Sequence, residues 1–107
     1  MTYKIEFYPE ARLDLLNLPT SVKKEIAEFI KTFSADPYSV TQALHDRKDI
    51  KLKGCRKTYC GDAKFRIITK VIENTVKIVE IIAIGKRDDK EVYFLAAARI
   101  AAQENSK

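Results

Sequence analysis

The stretch Val76-Lys77-Ile78-Val79-Glu80-Ile81-Ile82-Ala83-Ile84-Gly85-Lys86-Arg87-Asp88-Asp89-Lys90-Glu91-Val92-Tyr93 decides how this chain reads. It opens nearly all apolar, as an interior strand does. The run stops at Gly85 and two cations follow at once. Asp88 and Asp89 can then cap a helix. On that helix Val92, Leu95, Ala96 and Arg99 form one stripe, and Tyr93, Ala97 and Ile100 a neighbouring one. A buried strand that ends by presenting fixed positive charge is a place to hold a phosphate. Nothing in packing requires Lys86, Arg87 and Tyr93 to stand there.

Working back from this stretch, Glu73-Asn74 reads as a hairpin turn and Lys64 to Ile72 as a strand. Phe65, Ile67, Thr69 and Val71 face one way; Lys64, Arg66, Ile68 and Lys70 face the other. Gly61-Asp62 is a second turn. Before it, Lys51, Lys53, Cys55, Lys57 and Tyr59 share one face by parity, while Ile50, Leu52, Thr58 and Cys60 share the other. Gly54 is a place for a bulge. Tyr38 to Asp49 is polar and aperiodic and reads as a loop; His45 within it reads as a surface residue.

At the start of the chain, Tyr3, Ile5 and Phe7 alternate with Lys4 and Glu6, the pattern of a half-buried strand. Pro9 suits the first turn of a helix that Leu18-Pro19 breaks. Thr20 or Ser21 can cap a second helix, whose Val22, Ile26, Phe29, Ile30 and Phe33 keep helical spacing until Asp36-Pro37. Two helices with so short a break form a helical hairpin whose apolar face needs a sheet. The expectation is one α+β domain over residues 1–107. An N-terminal strand and a helical hairpin pack on one face of an antiparallel β-meander, and a short C-terminal helix follows. On this reading the helices leave the other sheet face bare, with Lys57 and Arg66 on it and Arg87 at its rim.

Composition agrees with a compact fold: 46% apolar residues and only three glycines and three prolines in 107 residues. No apolar stretch suggests a signal peptide, so the cytosol is the expected compartment. Cys55 and Cys60 fall on opposite faces of a straight strand and read as free thiols. One histidine and two cysteines give little to hold a metal, and no cofactor is expected. The charge is concentrated. Residues 47–70 carry nine cations against two anions, a net +7 that exceeds the +5 of the whole chain. A basic segment inside a folded sheet points to a polyanionic partner, either nucleic acid or an acidic protein. The alternative is a solvated lysine-rich edge that blocks strand pairing.

Two of these stretches resemble the RelE/ParE superfamily of bacterial toxins from type II toxin–antitoxin systems. Ile84 to Tyr93 is similar to the G-K-R-x-x-x-x-V-Y signature of the RelE-like branch, and Phe65-Arg66-Ile67-Ile68 to its Y-R-[IL]-[IVL] strand. The order of strand, helical hairpin and meander matches as well. The resemblance implies a ribosome-dependent messenger RNA endonuclease that acts in the ribosomal A site and is countered by a cognate antitoxin. It places Lys57, Arg66, Arg87 and Tyr93 on the family's catalytic positions. The interval between Lys57 and Arg66 crosses a turn, so Lys53 and Lys64 are alternatives for that lysine. The family's second lysine falls on Tyr59, a departure.

Such an enzyme needs no metal. The 2′-OH attacks the adjacent phosphate and leaves a cyclic phosphate and a free 5′-OH. With no histidine near the cationic cluster, a lysine crowded by arginines is the usable base, and Lys57 is the candidate. Arg66 and Arg87 would clamp phosphate oxygens, which suits the planar guanidinium fork. Tyr93 would stack on a base or hydrogen-bond the 2′-OH. Lys51, Lys53, Arg56, Lys64 and Lys86 are expected to meet RNA backbone. Structural alternatives are an ion pair of Arg66 with Glu80 on the neighbouring strand, and a helix-capping role for Arg87. Functional alternatives are a ParE-like inhibitor of DNA gyrase, or a non-toxic relative that only binds its antitoxin.

Overall fold

A computed structural model describes residues 2–44, 52, 54–86 and 91–105. In chain order the elements are strand β1 (Lys4–Phe7), helices α1 (Pro9–Leu16) and α2 (Thr20–Ala35), and strand β2 (Gln42–Ala43). Strands β3 (Cys55–Cys60), β4 (Phe65–Glu73) and β5 (Lys77–Lys86) and helix α3 (Glu91–Asn105) complete the fold. The strands form one sheet in the order β1-β5-β4-β3-β2. The apolar run noted above is at its heart: Val79, Ile81, Ile82 and Ala83 of β5 are fully buried. β1 lies parallel on one side of β5, and β4 antiparallel on the other.

The expected strand, hairpin and meander are all present, with three differences. The sheet extends beyond a three-strand meander, because Gln42–Ala43 pairs with β3 at Lys57 and Arg56 as a short edge strand. Two residues carry too little periodicity to separate from a loop. The second helix is not capped by Thr20 or Ser21. Pro19 is its N-cap, no side chain caps it, and the N–H groups of Val22 and Lys23 donate to the Pro19 carbonyl. The third difference concerns the sheet face expected to be bare.

Cross-strand partners put their side chains on the same side of a sheet. Lys57 pairs with Ile68, Tyr59 with Arg66, Arg66 with Gly85, and Ile68 with Ala83. These residues therefore share one face. Cys60, Phe65 and Ile67 belong to the other, and Val22 of α2 packs there beside Phe65 at the Gly61 turn. The last helix does not leave the Arg66 face open. A Cβ built on Gly85 would stand 3.0 Å from the Cβ of Val92, so α3 descends onto this face where β5 has no side chain. It is 15 residues long and covers the β4–β5 end of the face. The polar groups of β5 beyond the end of β1 are also covered: Ile84 N–H donates to Asp14 of α1, and the Ile82 carbonyl accepts from Arg99 of α3.

Candidate functional site

β4 brings Arg66 to the end of the shared face nearest the Gly61 turn, and its surroundings are unusual for a buried cation. The residue is only 8% exposed. Its guanidinium carbon lies 4.5 Å from the centroid of the Tyr93 ring and 5.5 Å from that of Tyr59. Lys57 closes the group, with its ammonium nitrogen 5.3 Å from the Tyr59 ring centroid. Aromatic faces attract cations without neutralising them. Among the described residues no carboxylate pairs with Arg66, and its buried Nε–H has no hydrogen-bond partner. Leaving a buried donor unmet costs about 1–3 kcal/mol. The expected structural partner, Glu80, stands opposite Lys70 rather than Arg66, because the register puts Gly85 across from Arg66.

Tyr59 is the residue that sequence reasoning set aside. The ordinary alternation of β3 places it between Lys57 and Arg66, half-buried. A hydrogen bond from Lys57, reinforced by the positive charges of Lys57 and Arg66, holds its phenol below the usual tyrosine range despite some desolvation. Parity alone had put Tyr59 beside Lys57, and pairing across the Gly61-Asp62 turn would have put it opposite Arg66.

Other expected site residues sort differently. Tyr93 is 3% exposed and its ring lies over Arg66. Lys64 is exposed in the turn before β4, and Lys86 is exposed at the end of β5. Arg56 is turned away from Lys57 and works as a brace. Its Nε donates to the Thr41 hydroxyl at 2.6 Å, another nitrogen donates to the Thr41 carbonyl at 3.0 Å, and its guanidinium lies 4.9 Å from the Tyr38 ring centroid. Half-buried and spent on these contacts, it is not placed to meet RNA backbone as expected. His45, Lys51, Lys53 and Arg87, with the capping pair Asp88 and Asp89, lie outside the described residues. Cys55 and Cys60 are buried and form no disulfide with each other, and burial with Glu25 nearby pushes the Cys60 thiol up to about 11, away from reactivity. Among the described residues no group of His, Cys, Asp and Glu could hold a metal ion, and no helix is long and apolar enough to cross a membrane.

Together Lys57, Arg66, Tyr59 and Tyr93 bring two cations and two phenols to one place, an arrangement suited to an anionic group.

No family model matches the chain. A RelE-like toxin protein of Escherichia coli is 27% identical over 100 residues, spanning 94% of this chain and 99% of the relative. Among solved structures, one from a RelBE toxin–antitoxin complex of Mycobacterium tuberculosis is 26% identical with a TM-score of 0.66, over 81% of this chain and all of that one. A doubly arginine-substituted Escherichia coli RelE in its free state superposes with a TM-score of 0.73 at 24% identity, over 94% of this chain and 99% of that one. Over nearly its whole length the chain is thus similar in sequence to a RelE-like toxin, and its fold is that of the solved RelE toxins.

Proposed function

We propose that the chain is the toxin of a type II toxin–antitoxin system and cuts messenger RNA in the ribosomal A site by attack of the 2′-OH on the adjacent phosphate. The observation that carries this reading is Arg66: buried, flanked by two tyrosines, and without a carboxylate among the described residues. A guanidinium kept this way is set for a transferable anion rather than for an internal ion pair. The scissile phosphate approaches from the half-buried Lys57–Tyr59 side. Arg66 stabilises the charge that builds on the phosphoryl oxygens, with Arg87 as its expected partner from the glycine-ended strand. Lys57 is the base anticipated from the sequence. Tyr93, buried against Arg66, holds the guanidinium in place. Lys64 and Lys86, both exposed, supply backbone attraction that weakens with salt.

The partner in the cell is a cognate antitoxin with an acidic segment, drawn to the basic 47–70 stretch. On this reading the site of action is the cytosol, where the ribosomes are.

The test uses purified ribosomes programmed with message. The wild-type chain is expected to give A-site cuts with free 5′-OH ends, and Arg66→Ala to cut on the order of 10²–10³-fold more slowly. Intact message with the wild type, together with DNA breaks and filamentation on expression in cells, would replace this reading with gyrase inhibition.

A further inference from the structure

We infer that Tyr59, rather than Lys57, is the group that takes the proton from the attacking 2′-OH, with Lys57 and Arg66 holding its phenol oxygen in readiness. This rests on the nuclease reading above and names its proton acceptor.

Geometry carries the assignment. Tyr59 is paired with Arg66 across β3 and β4 and stands two residues from Lys57 on the same face. Its ring has a cation on either hand, at 5.3 and 5.5 Å from the centroid. The charged ammonium of Lys57, 5.3 Å from the ring centroid, favours an oxyanion on the tyrosine. The facing groups reinforce this. On β2, Gln42 opposite Lys57 is uncharged. On β5, Gly85 opposite Arg66 has no side chain. From α3, Tyr93 reaches Arg66. Among the described residues no carboxylate is placed on this cluster to oppose ionisation, and the phenol lies below its ordinary range with Lys57 as the first cause. Tyrosine is an accepted general base or acid when its ionisation is brought toward the working pH.

The step balances as follows. The Tyr59 phenolate takes the 2′ proton and becomes a phenol. The 2′ oxygen forms its bond to phosphorus as the bond from phosphorus to the 5′ oxygen breaks. The 5′ oxygen leaves with a proton from water. The hydroxide left behind takes the phenol proton and restores the phenolate.

The experiment measures single-turnover cleavage on programmed ribosomes against pH, for the wild type, Tyr59→Phe and a chain carrying a fluorinated, more acidic tyrosine at position 59. The wild-type rate is expected to rise with pH until the phenol is ionised, and Tyr59→Phe to fall about 10²–10⁴-fold while still binding ribosomes. The fluorinated chain should move the rising limb to lower pH. A Tyr59→Phe chain that cuts within a few-fold of the wild type, or a limb that stays in place with the fluorinated residue, overturns the inference and leaves the nuclease reading standing. Wild-type chain that leaves message intact sinks the nuclease reading itself. A separate ultraviolet titration needs no RNA: the Tyr59 phenol, identified by difference from Tyr59→Phe, should ionise at higher pH in Lys57→Gln. If it does not move, Lys57 is not holding the phenol and the inference fails on that ground alone.

Discussion

Among the described residues two arginines are nearly buried, and they are kept in opposite ways. Arg99 is fully provided for: it donates to Asp14 Oδ2 at 2.7 Å, to Asp14 Oδ1 at 3.3 Å and to the Ile82 carbonyl at 2.9 Å. Asp14 also accepts from Ile84 N–H at 3.1 Å. This arrangement ties α1 and α3 to the open edge of β5, and every partner is internal. Arg66 lies on the opposite side of the account. It touches two aromatic rings, its Nε–H is unmet, and no carboxylate among the described residues neutralises it. Burial is thus a poor guide to what an arginine does. The partners distinguish them: one arginine is tied into the scaffold, and the other keeps a buried donor that no described residue meets.

The comparison breaks most visibly if the two are exchanged in function. Arg66→Met keeps apolar volume between the rings, so its stability is expected to stay within about 1 kcal/mol of the wild type, while cleavage falls on the order of 10²–10³-fold. Urea unfolding and ribosome assays check the two halves. Asp14→Ala should do the reverse. It strands the Arg99 charge and the Ile84 donor, and the expected loss is about 3 kcal/mol of stability, read by urea unfolding. Molecules that remain folded should cut at the wild-type rate. A smaller effect is expected at Gly85→Ala, whose new Cβ meets Val92 at 3.0 Å. Easing α3 away should lower stability by about 1 kcal/mol and make the Tyr93 ring more accessible to a fluorescence quencher.

The smallest effect is at a control site away from both arginines. Glu73 accepts hydrogen bonds from Tyr3 and Tyr38, which hold its carboxyl below the usual range, with Lys77 3.6 Å away. A carboxyl whose folded value is depressed adds stability above its unfolded range and loses it as pH falls through the folded value. Thermal melts of the wild type should therefore drop slightly more than those of Glu73→Gln on acidification below the ordinary carboxylate range. Because this cluster is solvent-exposed, the difference should be slight.

The fold was largely legible because its strongest signals are local. The run ending at Ile84 could only be an interior strand, and parity put Lys57, Tyr59 and Arg66 on one side once the turn at Gly61 was fixed. What was not legible is where α3 comes to rest. Val92 and Tyr93 showed a helix with a buried stripe, but a stripe does not say which sheet face it covers. Gly85 held the missing information, since a side chain absent opposite Arg66 is a place for a helix to sit. Arg56 was misjudged for a related reason. Its charge counted toward the basic segment, yet its brace to Thr41 depends on a two-residue edge strand that has no signature. Tyr59 was noticed only as a departure from a resemblance; its meaning came from the two cations beside it.

The measurement that bears most directly on all this is the cleavage rate of Arg66→Met on programmed ribosomes, taken where its unfolding curve overlays that of the wild type. An arginine kept for a phosphate predicts a folded protein that has lost cutting by at least about a hundredfold. A variant that cuts message as fast as the wild type would show that Arg66 serves the fold alone.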